Sequence, residues 1–312
     1  MIKITMNRGV ILTIVVLVML GGYFAVNERT QRKSLLNGRI EVVASFYPLS
    51  YIAEIVGGDL VSVRDLVPAG VEPHDFEPSP RDFAGIADAD ILLFNGASFE
   101  PWVEKWQQST TMRPTHVINM ADELINTEVV LIERGSVIDP HFWLDPVIMK
   151  KETEIIRDAL VKLNPLHKEI FERNTVQLLN DLDALDAQYR VGLSACSLRD
   201  VVVLHEAFSY LARQYRFSAT SIEGISPDEE PSPRELARII SFVREKGVKT
   251  IFSETIASPK FSEVITREIG GTMLVLNPLE SLTPNEVELE EDYISIMKKN
   301  LENLQKAMQC TN

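Results

Sequence analysis

Three of the chain's five histidines stand where side chains could do coordination chemistry. His205 ends the apolar run Val201-Val202-Val203-Leu204, His141 lies between Pro140 and Phe142 just ahead of a helix start, and His74 sits in the loop after the apolar stretch 61–67. Each marks the exit of a strand-helix unit, the edge at which parallel α/β sheets bind ligands. Two carboxylates, Glu254 after TIFS and Glu280 after LNPL, occupy similar exits. Three imidazoles and one carboxylate form a coherent tetrahedral shell for Zn²⁺, a borderline-soft ion that accepts nitrogen and oxygen donors. A shell filled in this way binds rather than catalyses, since no position is left for a reactive water. Two readings stay open beside it: a three-ligand catalytic zinc site, and histidines with purely structural roles. The chain has no HExxH, nucleophile elbow, P-loop or Gly-rich dinucleotide fingerprint. For His116 and His167, at the start of a strand and of a long helix, surface or capping roles suffice.

The elements that must position these groups are legible in the hydrophobic pattern. Short apolar runs at 40–46, 61–67, 90–96 and 116–120 alternate with helical stretches, and the alternation restarts at 201–205, 248–254 and 272–280. Strand-helix alternation of this kind predicts parallel βα units and an α/β fold. Ser79-Pro80 and Ser232-Pro233 open helices with a capping serine and a proline in the first turn, and Asp145-Pro146 does the same for a helix running to about Asn164. Thr283-Pro284-Asn285-Glu286 is expected to cap a last helix ending near Gln309, and 121–139 reads as a loop. Between the two arrays lies a continuous helical stretch over 166–193, about 40 Å long at 1.5 Å per residue. Its apolar residues Phe171, Leu178, Leu182, Leu185 and Tyr189 recur at three- and four-residue steps, so one face is buried. The predicted division is an N-terminal segment 1–37, a lobe 38–164, a spine helix 165–193 and a second lobe 194–312.

Composition narrows the functional classes. With 45% hydrophobic and 24% charged residues, the 312-residue chain is globular rather than disordered or polytopic in a membrane. Residues 1–37 hold five basic side chains against Glu28, a surplus of four, so within the total of −14 the remaining 275 residues carry −18. A body this acidic repels phosphate backbones, which argues against nucleic-acid binding. The uncharged run Val10–Val26 follows Arg8 and lacks both a small-residue cleavage site and a following cysteine. It reads as an uncleaved signal anchor, with a cleaved signal peptide as the competitor. Either reading delivers the body to the outer face of a membrane. The two cysteines, Cys196 and Cys310, lack metal-site spacing, leaving either one disulfide or two unrelated thiols.

The segments LVPAGVEPHDFEPSPRDF, DPHFWLDP, VVVLHEAFSYLA, GISPDEEPSPREL, TIFSE and VLNPLESLT together resemble the zinc/manganese-binding substrate-binding proteins of ABC-type metal importers. The likeness runs from about residue 40 to the C-terminus. It implies two lobes of parallel βα units bridged by one long spine helix, with the metal at the lobe interface. It further implies His74, His141, His205 and Glu280 as metal ligands, with Glu254 as the alternative carboxylate or a partner behind the shell. Many relatives, notably manganese binders, have aspartate where this chain has Asn277. Manganese binders also tend to carry a carboxylate where His205 stands, so the resemblance implies Zn²⁺, with Mn²⁺ the alternative. The His-rich loop of many zinc members is missing from 121–139. Cys196 and Cys310 look like the disulfide pair of some relatives. The implied protein is not an enzyme but a monomeric carrier at the extracytoplasmic face. It would hand its ion to membrane permease and ATPase subunits, with adhesion on the same scaffold as an alternative or added role.

Overall fold

Short strands of four or five residues build both sheets, and the inner strands are largely buried while the edge strands are more open. In the computed structural model, which describes residues 38–109, 116–135, 137–227 and 231–311, the strands are β1 (Ile40–Ala44), β2 (Val61–Asp65), β3 (Ile91–Phe94) and β4 (His116–Asn119), then β7 (Asp200–Val203), β8 (Ser218–Ser221), β9 (Thr250–Ser253) and β10 (Thr272–Val275). A two-residue antiparallel hairpin, β5 (Glu133–Arg134) and β6 (Val137–Ile138), lies between the two groups. All four side chains of β3 and of β9 are buried. Continuous apolar runs of this kind belong to parallel strands covered by helices on both faces. The pairings β1–β3, β3–β4, β7–β8, β7–β9 and β9–β10 are all parallel.

Both sheets use one plan. The first is ordered β2-β1-β3-β4 and the second β8-β7-β9-β10, so each places its strands in the order second, first, third, fourth. The strand order reverses between β1 and β3 and again between β7 and β9, and this crevice is where a doubly wound sheet offers a ligand site. The helices entering the third strand of each array also match. Pro80–Asp88 is opened by Ser79-Pro80-Arg81-Asp82 and Pro233–Lys246 by Ser232-Pro233-Arg234-Glu235, each a reciprocal capping box.

Glu41–Asn312 is one unit by its internal contacts. The helix Lys168–Gly192 is its spine, 25 residues and about 37 Å at 1.5 Å per residue. Phe171, Thr175, Leu178, Leu182, Leu185, Tyr189 and Gly192 are buried, a strict alternation of four- and three-residue steps. That stripe packs against the helices Tyr47–Gly57, Pro146–Leu163 and Tyr293–Ala307. Polar bonds fix both ends. Asn174 Nδ2 donates to the Val56 carbonyl (3.1 Å), and Tyr189 Oη to that of Met297 (2.7 Å). At Gly192 a Cβ would sit 3.2 Å from Leu301 Cδ1, a tight contact with the last helix, and Gln305 would have to move its side-chain end aside. Cys196, just past the spine, is disulfide-bonded to Cys310, just past the last helix.

The structure departs from the sequence reading in three places. The stretch 121–139 is not all loop: Met120–Asn126 is helical, capped by Asn119 and anchored by buried Met120, Ala121 and Leu124, and the β5–β6 hairpin follows. Ser218–Ser221 forms an edge strand that its polar composition concealed. Thr283 caps a helix of only five residues, Pro284–Glu288; Glu290 then takes a left-handed conformation (φ 53°), and Asp292 caps a separate final helix. The expected anchor or signal segment in 1–37 and the acidic residues 228–230 lie outside the described residues. No helix among the described residues is long and apolar enough to cross a membrane.

Candidate metal centre

Each of the four site residues is held by its own local sequence. His74 belongs to a single 3₁₀ turn, Pro73–Asp75, after β2. Proline starts that turn, and the Glu72 carboxylate accepts from the His74 peptide N–H (3.3 Å). His141 lies two residues after Asp139, near enough for one carboxylate oxygen to accept from both its peptide N–H (3.1 Å) and its ring Nδ1–H (2.9 Å). His205 follows β7, and Glu254 follows β9 across the crevice. Glu254 Oε1 accepts from the peptide N–H of His205 (3.2 Å) and from its Nδ1–H (2.7 Å). Glu280 follows β10 in a loop shaped by Asn277, whose Oδ1 accepts from the Leu279 N–H (2.7 Å) while Leu279 adopts φ 59°.

The donor atoms converge. Nε2 of His141 lies 3.4 Å from Nε2 of His74 and 3.3 Å from Nε2 of His205. Glu280 Oε1 lies 3.6, 3.4 and 3.1 Å from the same nitrogens of His74, His141 and His205. Ligands 2.0–2.1 Å from a central Zn²⁺ in tetrahedral array stand about 3.3 Å apart, the edge of that tetrahedron. The five distances fit this edge, and among the described residues this is the one His/Cys/Asp/Glu group with such convergence. His141, His205 and Glu280 are buried, and His74, with 9% of its side chain exposed, is the most accessible of the four.

Backing carboxylates decide which ring nitrogen faces the centre. With Nδ1–H donated to Asp139 or Glu254, the Nε2 lone pairs of His141 and His205 point inward, ready for a cation. Burial lowers the proton affinity of both rings, but it is outweighed. Bonds to Asp139 and Glu280 raise His141, and the charges of Glu254 and Glu280 raise His205 well above the ordinary value. His74, with less compensation, is lowered by burial. Burial alone would raise Glu280, yet the charge of His205 and bonds from all three rings hold it well below the usual carboxylate range. Glu72 is pushed up to about 9 by burial and then by Glu280. Cation uptake therefore exchanges protons for metal.

Rings and cross-links set the walls. Phe99 meets His74 edge-on at 4.7 Å, and Trp143 lies 5.3 Å from His141. Asn95, following β3, donates through Nδ2 to the Pro140 carbonyl (2.9 Å), while Glu100 accepts from Ser45 Oγ (2.6 Å) and from the Asn95 N–H (2.7 Å). The first sheet's crevice thus holds the residue before His141. From the second array, Tyr210 Oη donates to the Asp139 carbonyl (2.7 Å).

His74, His141, His205 and Glu280 are brought together as the sequence suggested, and Glu254 stands behind His205 rather than in the convergent set. Asn277 faces away, donating its peptide N–H to Asn300 Oδ1 and its Nδ2 to Glu286. His167 Nδ1 pairs with the Asn164 side chain (2.9 Å) in the turn before the spine without capping a helix through its side chain, and His116 starts β4 away from the centre. His141 is reached through the β5–β6 hairpin, not directly from a sheet strand. The sequence reading gave no role to Asp139, Glu72 or Tyr210. The spacing Asp139-Pro140-His141 was the signal for the first, since a carboxylate two residues before an imidazole can fold back onto Nδ1.

Comparison with known proteins places this geometry. The chain is 35% identical over 280 residues to the high-affinity zinc uptake system protein ZnuA of Bacillus subtilis (strain 168), covering 86% of this chain and 88% of that protein. It is 36% identical over 278 residues to the zinc-binding lipoprotein AdcA of Streptococcus pneumoniae serotype 4, spanning 56% of AdcA's length. The crystal structure of the Zn(II)-bound ZnuA-like domain of S. pneumoniae AdcA superposes with a TM-score of 0.76 at 36% identity, covering 87% of this chain and 99% of that domain. The laminin-binding protein Lmb of Streptococcus agalactiae, described as bifunctional with adhesin and metal-transporting activity, gives 0.75 at 32% identity, covering 86% and 99%. A model of the family "Zinc-uptake complex component A periplasmic" (ZnuA) matches residues 42–307. With that match and these relatives, the chain belongs to the ZnuA family.

Proposed function

We propose that this protein captures Zn²⁺ as cargo outside the cytoplasm, holds it on His74, His141, His205 and Glu280, and delivers it to the permease and ATPase subunits of an ABC-type importer. The observation that carries the reading is the set of four donor atoms at tetrahedral spacing, two of them on imidazoles oriented by buried carboxylates. Three neutral imidazoles favour Zn²⁺ over Mn²⁺. Four protein ligands complete the shell, so the reading is a carrier and not an enzyme. Delivery proceeds by limited movement of two lobes, 38–164 and 194–312, about the spine 165–193. The ion leaves past His74, the one partly exposed ligand. The protein acts as a monomer anchored through its N-terminal segment.

Metal competition on the purified full chain tests the reading, with elemental analysis as readout. Zn²⁺ is expected to be retained against excess Mn²⁺, and His205→Ala to abolish stoichiometric zinc. Preferential Mn²⁺ retention would overturn the zinc assignment, and unchanged zinc affinity in His205→Ala would overturn the ligand set. The likeness to Lmb favours a second reading, adhesion as an added role, which direct laminin binding by the full chain would test.

A further inference from the structure

A cleft of about 640 Å³ opens at the C-terminal end of the spine, with Arg190, Arg199, Arg213 and Arg216 around it and Tyr189 and Tyr215 in its lining. The two tyrosine rings are stacked at 4.8 Å and buried. Their hydroxyls are engaged, Tyr189 with the Met297 carbonyl and Tyr215 with Asp186, so the stacked pair backs the cleft without spare polar atoms.

Two of the arginines are braced by neutral groups rather than carboxylates. Arg199 donates from Nη1 to the Leu193 carbonyl (2.6 Å) and from Nη2 to that of Ser194 (2.8 Å). Arg213 donates from Nη1 to the Val130 carbonyl (3.1 Å) and lies 5.1 Å over the Tyr210 ring. Such bonds fix the guanidinium planes without cancelling their charge. Arg190 is paired with Asp186 (2.9 Å), and buried Asp145 lies close enough to Arg213 to feel its charge. Arg216 forms no ion pair among the described residues. Four guanidinium groups therefore face two carboxylates, a positive surplus on a body whose net charge is −18. Planar forks of N–H donors match the oxygens of tetrahedral oxyanions, and guanidinium is weakly hydrated, so such a cluster binds phosphate groups well.

We propose that this cleft is a binding site for a multiply charged oxyanion of the phosphate class, free or as a phosphorylated head group. The site is separate from the four metal ligands and shares no residue with them.

Calorimetric titration of the metal-depleted full chain with inorganic pyrophosphate, and in a second arm with glycerol phosphate, tests it. Binding with a dissociation constant below about 1 mM is expected in at least one arm. Tighter pyrophosphate binding identifies a free-phosphate ligand, and tighter glycerol phosphate binding a head group. The double variant Arg213→Gln/Arg216→Gln is expected to bind about tenfold more weakly or worse, with zinc stoichiometry unchanged. Because Arg213 also braces Val130, the single variant Arg216→Gln serves as a control free of that role and should show a several-fold loss. No binding in either arm, or equal binding by wild type and both variants, would overturn the proposal.

Discussion

Trp143 Nε1 donates to the carbonyl of Pro278 across 135 residues of sequence (2.8 Å). That bond ties the turn carrying His141 to the loop carrying Glu280, two of the four convergent residues, contributed by different arrays. The fully buried indole packs on Phe46 (4.7 Å) and Phe99 (5.2 Å), and its own carbonyl accepts from Tyr293 Oη (2.7 Å). Trp143→Phe keeps a ring but removes the donor, leaving the Pro278 carbonyl unpaired. A loss of about 1–3 kcal/mol from the zinc-loaded state is expected, read as a fall of about 5- to 150-fold in zinc affinity by chelator competition. Unchanged affinity would show that the Glu280 loop is positioned without this bond.

Glu254 Oε1 is bonded to His205 Nδ1 and lies outside the convergent set, so it is expected to act through the ring rather than on the ion. Glu254→Gln preserves size but replaces the charged acceptor of Nδ1–H. Zinc affinity should fall about 10–100-fold, the usual cost of removing a partner behind a metal-bound imidazole. One zinc per chain should still bind at saturation. Loss of stoichiometry, rather than affinity alone, would make Glu254 itself a ligand.

A buried acid away from the metal centre predicts the pH dependence of stability. Glu152 is fully buried on the helix Pro146–Leu163, and neither carboxylate oxygen has a hydrogen-bond partner among the described residues. Burial, then the charge of Asp145, raises it from 4.5 to about 8. Folded protein therefore holds this proton more tightly than unfolded chain. The group costs nothing below about pH 4.5, and stability falls as pH rises from there toward 8. Glu152→Gln should flatten that slope, with melting temperature across this pH range as the measurement. Glu100 and Asp65, raised to about 7, and Asp145, raised to about 6, contribute slopes of the same sign, so the variant reduces the trend without abolishing it.

The Cys196–Cys310 bridge closes a loop with a sequence separation of 114. Cys196→Ser/Cys310→Ser should lower unfolding free energy by about 2–4 kcal/mol. The bridge involves none of the four convergent residues, so zinc stoichiometry should persist at temperatures where the variant stays folded. Denaturant melts of both forms would measure the loss; equal midpoints would make the bridge energetically silent.

The sequence carried both the alternating arrays and the four convergent residues because each rests on strong local chemistry: apolar runs, proline-led caps, and histidines placed at strand exits. What stayed hidden depends on contacts between distant segments. Ser218–Ser221 becomes a strand only because β7 offers it an edge. The helix Met120–Asn126 exists because its Met120, Ala121 and Leu124 find a core. The choice between Glu254 and Glu280 was equally invisible in spacing. Both leave strands of the second array, but β9 borders the crevice beside His205 and directs its glutamate to Nδ1. The loop after β10 carries Glu280 round to Nε2.

The bridge between Cys196 and Cys310 also imposes an order in time. Each sheet is assembled from strands close together in sequence. The sulfur partner of Cys196 arrives 114 residues later, roughly 6–23 s at usual rates of synthesis. During that interval the helix Tyr293–Ala307 is also missing from the spine, and the four convergent residues are already complete at Glu280 before it is finished. In chain order all four convergent residues therefore precede Cys310, and the bridge can close only once the last helix has reached the spine.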